Sequence, residues 1–314
     1  MAKFRIELTP PDITPYRAGN TGIDYVTTFD SQQPGPHVVV NALTHGNEIC
    51  GAIALDHLFR AGIRPARGRL TLCFANVAAY REFDRANPNA SRYIDEDFNR
   101  LWDAATLAGP RRSGELTRAR ILRPLYDSAD LLLDIHSMQY ATAPLMLIGL
   151  VPKSEALAHR IGVPALLVRD AGHAAGPRLR DYGAFADSAA PQTALLAECG
   201  QHWERRSAEV AIETTWHFLA AAEILAAADA APILARPAPP QRVIAVTEAV
   251  MIQSENFAFA ADYHGLEVIA KAGTVIGRDG GRDIRTPYDD CVLIMPSRRL
   301  GPGQTAVRLG RYVD

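Results

Sequence analysis

Six short apolar runs lie in the first two thirds of the chain, at Val38 to Leu43, Leu70 to Asn76, Leu131 to His136, Leu145 to Leu150, Ala165 to Arg169 and Ala194 to Glu198. Each has the length of a strand, and near-continuous apolarity marks a strand covered on both faces. Helical spacing appears between several of them. Gly51 to Arg60 places Ile53, Leu55, Leu58 and Phe59 along one side, and about Trp203 to Ala228 does the same with Val210, Thr214, Phe218, Ala221 and Leu225. This alternation predicts an α/β fold, with a mostly parallel or mixed sheet and helices on both faces.

The pattern changes after Ala235-Arg236-Pro237-Ala238-Pro239-Pro240. Repeated proline cannot continue a helix and favours an extended spacer, so the segment predicts a linker at 235–240 between a catalytic domain at 1–234 and a small β domain at 241–314. Beyond it come short β-prone runs at Arg242 to Val246, Glu248 to Gln253, Val268 to Ile269, Thr274 to Gly277 and Asp290 to Met295, punctuated by glycine. They predict a small all-β, barrel-like unit. Lys271-Ala272-Gly273 reads as a solvated turn.

Composition excludes some partners and leaves the fold prediction intact. With 314 residues, 48% of them hydrophobic, and a formal net charge of -2, the chain has ample core and no global bias toward nucleic acid or membrane. The alanine-rich stretch Leu219 to Leu234 is too short to span a bilayer and is interrupted by Glu223 and Asp229, so it predicts a helix end packed on the core. Met1 to Glu7 has no apolar signal region, and the four cysteines form no Cys-x-x-Cys pair. Both features predict a cytoplasmic protein with reduced thiols.

The candidate chemistry sits where the apolar runs end. His45-Gly46-Asn47-Glu48 follows the first run and precedes the first helix, at the carboxyl end of a strand where open α/β sheets build their sites. Gly46 is expected to let the chain turn tightly enough for both side chains to converge. His136 ends another run and supplies a third ligand. Two histidines and a glutamate leave one position open on zinc, as in catalytic rather than structural sites. Such an ion lowers the pKa of water to about 7, and amide cleavage then benefits from a carboxylate that moves a proton. Glu198 is the candidate, since it interrupts Thr193-Ala194-Leu195-Leu196-Ala197-Glu198-Cys199 and a buried acid is too costly to be incidental. Arg92-Tyr93-Ile94-Asp95-Glu96-Asp97-Phe98-Asn99-Arg100 adds guanidinium forks suited to an oxyanion and a carboxylate. Asp134 lies two residues before His136 and is placed to support it. His173 and His202 are weighed as a lid residue and as a rim residue or partner of Glu198.

These motifs, taken in order with Asp134-Ile135-His136 and Glu198-Cys199-Gly200, resemble the succinylglutamate desuccinylase and aspartoacylase family of zinc amidohydrolases, relatives of the zinc carboxypeptidases. The resemblance runs from about His37 to the C-terminus. It implies one zinc per chain on His45, Glu48 and His136, with Glu198 as general base and acid. It also implies Arg92 polarising the scissile carbonyl, and Asn99 and Arg100 holding a substrate carboxylate. An arginine shortly before the catalytic glutamate also belongs to the pattern; Arg178 and Arg180 lie in that region, and Arg180 is taken as the candidate. Phe98 stands where leucine is usual, and Leu101-Trp102-Asp103 where many relatives have phenylalanine, proline and glycine, so a different pocket rim is expected.

The expected function is zinc-dependent cleavage of the amide bond of an N-acylated amino acid, with a small-molecule substrate, no nucleic-acid or membrane partner, and homo-oligomerisation left open. The alternative is a zinc carboxypeptidase acting on peptides or cell-wall fragments. A small-substrate amidase predicts a cleft roofed by the C-terminal region, and a peptidase an open groove. A binding protein on a retired hydrolase scaffold predicts loss of a ligand or of the glutamate, and none is lost.

Overall fold

A computed structural model describes residues 5–172, 175–235 and 237–313. In chain order its elements are β1 (Val26–Asp30), β2 (His37–Ala42), α1 (Ile49–Arg60), β3 (Arg69–Phe74), α2 (Val77–Arg81), α3 (Ala104–Ala108), α4 (Gly114–Asp127), β4 (Leu131–Met138), β5 (Leu145–Leu147), α5 (Pro152–Ile161), β6 (Leu166–Arg169), β7 (Thr193–Gln201), α6 (Arg205–Ala221) and α7 (Ala227–Leu234). These are followed by β8 (Arg242–Met251), β9 (Phe257–Phe259), β10 (Val268–Ile269), β11 (Val275–Asp279), β12 (Arg282–Arg285), β13 (Cys291–Ile294) and β14 (Thr305–Tyr312).

The main sheet runs β1-β3-β2-β4-β7-β5-β6-β8-β14-β13-β10. Its centre, β3-β2-β4-β7, is parallel, while β5 joins β7 antiparallel and β8-β14-β13-β10 is antiparallel throughout. Side chains in a strand alternate between faces, and here alternate residues enter different cores. Val38, Val40, Leu133, Ile135, Leu195 and Ala197 pack with α1, α5 and α6, whereas Val39, Leu132 and Ala194 pack with α3 and α4. Helices therefore cover both faces, as the apolar runs predict.

The β-rich region after the linker is present, and its two longest strands extend the main sheet. Pairing of β8 with β6 carries the hydrogen-bond ladder across the boundary, and a core of Met138, Leu147, Leu196, Ile244 and Val292 straddles it. A second sheet, β12-β11-β9, lies over its own core. Residues 237–240 form neither helix nor strand, while Arg236 and His173 lie outside the described residues.

The helix expected over about 203–228 is two helices. The first ends at Ala221, and Glu223 adopts a left-handed backbone with φ 58°. No glycine or proline between Ala222 and Ala226 announces that break, so apolar spacing runs through it. The alanine-rich stretch is divided accordingly: Leu219 to Ala222 is buried in the core, but α7 has no fully buried residue.

Candidate active site

His45 and Glu48 come from the turn between β2 and α1, and His136 from β4. One donor atom from each lies within 4.8 Å of the others, in a fully buried group. The left-handed residue in this turn is Leu43, at φ 62°, not Gly46. Glycine is needed at 46 for a different reason. A Cβ there would lie 2.3 Å from the Ala79 carbonyl carbon, 2.4 Å from the Tyr80 nitrogen and 2.5 Å from the Ser91 oxygen. Gly46 also donates its N–H to the Arg92 carbonyl at 3.0 Å, which pins the 92–100 loop against the turn.

Each imidazole is held at its far nitrogen by a carboxylate. Asp97 Oδ1 lies 2.9 Å from His45 Nε2, and Asp134 Oδ2 lies 2.8 Å from His136 Nε2. Asp134 is fixed by Asn41 and Thr44, each donating to its Oδ1 at 2.8 Å. The near nitrogens face Glu48, with His45 Nδ1 2.8 Å from Oε1 and His136 Nδ1 2.9 Å from Oε2. A neutral imidazole has only one N–H, and if that N–H serves the outer carboxylate, the inner nitrogen presents a lone pair to a glutamate oxygen. Such a contact needs a proton or a metal ion between the two groups. Without a metal, burial lowers His136, but Asp134 and Glu48 outweigh it and hold the imidazole well above its usual range. A bound cation would take the place of the inner proton, the outer carboxylates orienting the histidines as ligands. The donor set therefore fits a divalent metal. Burial opposes charge on Glu48, but His45 and His136 outweigh it and hold its carboxyl well below the usual range.

Glu198 is brought beside this group by strand register. His136 and Glu198 are paired residues of the parallel neighbours β4 and β7, so their side chains leave the same face together. Glu198 is 6% exposed, and its Oε2 has no hydrogen-bond partner among the described residues. Burial pushes it up to about 8, with His136 opposing and Glu48 adding to the rise. Arg92 Nη1 donates to Glu48 at 3.1 Å and Nη2 to Asp97 at 3.1 Å, while its Nε is buried and unpartnered among the described residues. Asn99 Oδ1 accepts the Leu179 N–H at 2.8 Å, and Arg100 is pressed down to about 10, chiefly by burial. The loop is held rigid by buried Glu115, which accepts the Ile94 and Asp95 N–H groups at 2.7 and 3.1 Å.

Of the metal, catalytic and substrate-binding candidates read from the sequence, all but Arg180 line one cavity of about 550 Å³. Arg180 pairs with Asp181 and lines a separate, smaller cleft. Its neighbour Arg178 lines the main cavity instead, beside Arg308 of β14. Residues at alternate positions of one loop carry no sequence signal that tells them apart. His202 also lines the cavity; its Nδ1 lies 2.8 Å from Ser137 Oγ, and burial drives it down to about 3, so it is neutral. Met295 to Ser297, Arg299 to Gly301, Gln304, Thr305 and Arg308 line one side, so the C-terminal region forms a wall of the cleft. Trp102 does not shape the rim: it is fully buried against Phe98, Tyr126 and Tyr182, and Asp103 caps α3.

The sequence reading overlooked Asp97, which orients both His45 and Arg92. It also overlooked Arg308, although an arginine inside the buried run Thr305 to Leu309 is the same signal that marked Glu198. Among the described residues no helix is long and apolar enough to cross a membrane.

A family model described as the succinylglutamate desuccinylase/aspartoacylase catalytic domain matches residues 34–210. Over 121 residues the chain is 28% identical to aspartoacylase of Mus musculus, a stretch covering 36% of this chain and 37% of that protein. With aspartoacylase of Xenopus tropicalis the identity is 27% over 113 residues, covering 33% of this chain and 34% of that one. The chain thus matches little more than a third of the length of these relatives. Solved structures resemble it over most of its length. Succinylglutamate desuccinylase from Vibrio cholerae superposes with a TM-score of 0.67 at 18% identity, covering 93% of this chain and 86% of that one. Murine aminoacylase 3 gives 0.62 at 19% identity, covering 90% and 97%. At such identities the likeness is one of fold.

Proposed function

The chain belongs to the succinylglutamate desuccinylase/aspartoacylase family, and from that premise we propose that it is a zinc-dependent amidohydrolase that splits an N-acylated amino acid into a carboxylate and a free amine. The observation that carries this reading is the convergence, in one cavity, of the His45/Glu48/His136 donor set with a Glu198 oxygen that has no partner among the described residues and a group of arginines. His45, Glu48 and His136 would hold the zinc. When bound, it supplies Lewis-acid polarisation and makes water more acidic.

The remaining chemistry falls to the chain itself. Glu198 takes a proton from the attacking water and returns it to the leaving nitrogen, so acid and amine products balance the water consumed. A carboxyl lifted to about 8 in its buried setting is poised to exchange a proton near neutrality. Arg92 stabilises negative charge on the carbonyl oxygen, and Asn99 with Arg100 holds the carboxylate of the amino acid. The wall that the C-terminal region adds to the cavity supports a small substrate over the peptide substrate of a carboxypeptidase. The four buried free thiols support a reducing, cytoplasmic setting.

A screen of N-acetyl, N-formyl and N-succinyl amino acids with zinc-loaded protein tests the proposal. It predicts turnover of at least one free acid, abolished by a chelator and restored by zinc. Release of C-terminal residues from peptides with no turnover of acyl amino acids would favour the carboxypeptidase reading instead.

A further inference from the structure

Two arginines reach the cavity from outside the 92–100 loop. Arg178 lies just before a short helical turn ahead of β7, and Arg308 lies in β14, 130 positions later in the chain. They are 4% and 6% exposed. Guanidinium groups buried side by side repel each other, and burial itself opposes their charge. Arg308 is pushed down to about 10 by burial first and then by Arg178.

One carboxylate holds the pair. Asp170, just beyond β6 and 3% exposed, accepts a hydrogen bond from Arg178 Nη2 at 2.7 Å, and the same oxygen lies 3.1 Å from Arg308 Nε. Its other oxygen accepts the Gly172 N–H at 3.2 Å. Burial would raise the Asp170 carboxyl, but Arg178 and Arg308 outweigh it and hold it below its usual range. Asp170 therefore stays ionised, and two guanidiniums against one carboxylate leave one positive charge. Donors are also left over. Arg178 Nη1 is buried with no partner among the described residues, and the Arg308 Nε contact is an ion pair without the alignment of a hydrogen bond. A bridge that served only to join segments would satisfy its buried donors, because leaving them unmade is costly.

We propose that Asp170 is a positioning residue for the proposed hydrolysis: by sharing one oxygen between Arg178 and Arg308, it fixes guanidiniums from distant parts of the chain as one wall that holds an anionic group of the substrate. This rests on reading the cavity as the hydrolytic site. The wall is incomplete without β14, so the C-terminal strand contributes to substrate selection. A role through charge alone has the opposite sign. Removing a carboxylate from an anion site would strengthen anion binding by charge, whereas loss of the shared acceptor lets the guanidiniums separate and weakens it.

The experiment uses zinc-loaded full-length protein, with succinate as a minimal dicarboxylate probe in titration calorimetry and kinetics on whichever acyl amino acid is turned over. Asp170→Asn is expected to raise the succinate Kd about tenfold and KM by a similar factor, with kcat changed less than about threefold. An unchanged or lower Kd overturns the proposal. If Asp170→Asn does not fold, Arg308→Lys decides, since lysine keeps the charge but lacks the fork. It too should weaken succinate about tenfold, and unaltered binding overturns the proposal. The double variant should bind no more weakly than the weaker single one, and fully additive losses would show that Asp170 does not act through Arg308. Failure of wild-type protein to bind succinate overturns the anion wall itself. Succinate binding without turnover of any acyl amino acid removes the functional reading, and the calorimetry then decides the role of Asp170 alone.

Discussion

The two halves of the main sheet meet the cavity in different ways. In the parallel half, β4 and β7 bring His136 and Glu198 together by register, and the turn after β2 adds His45 and Glu48, so the proposed reactive groups come from neighbouring strand ends. In the antiparallel half, β14 and the loop before it deliver Arg299, Gln304 and Arg308, which line the cavity from the C-terminal side. The first half holds the proposed metal donors, whose positions would have to agree within the reach of a single ion. The second holds groups that recognise charge at longer range. Substitutions in the parallel half should therefore affect kcat or metal retention, and those in the antiparallel half should affect KM.

The largest expected effect is at Glu198. Metal-loaded Glu198→Gln keeps the shape and loses the proton carrier, so kcat should fall by about 100- to 10,000-fold. A metal-loaded variant with near-normal turnover would remove Glu198 from the chemistry. Gly46→Ala comes next. Its Cβ would meet three backbone atoms at 2.3 to 2.5 Å, none of which can rotate away. Forcing the 45–48 turn off the 79–91 segment should cost roughly 2 kcal/mol or more and weaken metal retention, read by thermal unfolding and metal analysis. Unchanged stability would mean that the turn adapts freely.

The two loop arginines should separate binding from chemistry. Arg92→Ala should lower kcat for every substrate, while Arg100→Ala should raise KM about tenfold or more for free acids and narrow the gap to their amides. Matching effects from both substitutions would merge the two roles. A smaller effect concerns acidity. The Glu198 carboxyl is raised from an ordinary 4.5 to about 8, so between those values the folded protein keeps a proton that the unfolded chain has released. Metal-free protein should then lose stability as pH rises through that window, and Glu198→Gln should flatten the fall in Tm. Parallel Tm curves would contradict the buried, protonated carboxyl. Arg299→Ala should have the least effect, about a threefold rise in KM with kcat preserved, because this side chain is only half buried and solvent screens its charge. A large loss of kcat there would erase the distinction between the two halves.

The parallel half was legible because its residues are physically expensive. A histidine or an acid that ends or interrupts an apolar strand has few inexpensive explanations, and that cost exposed His136 and Glu198. The strand runs were equally plain, since burial on both faces leaves continuous apolar sequence. The antiparallel half was harder to read. β14 has eight residues, as many as β4, yet the sequence reading passed over it and Arg308 within it. Arg178 and Arg180 share a loop, and only packing separates them, with Gly176 pressed so closely on Arg100 that a Cβ would lie 2.3 Å from its carbonyl oxygen. The break at Glu223 carries no breaker residue. Asp97 looked like one more charge in a solvated loop, because its two partners, His45 and Arg92, are distant or ambiguous in sequence.

Metal content tests the central claim most directly. Wild-type protein, purified and equilibrated with zinc, should retain about one zinc per chain after dialysis, and His136→Ala should retain little under the same conditions. Stoichiometric zinc in His136→Ala, or none in the wild type, would contradict a metal centre at the ends of β2 and β4.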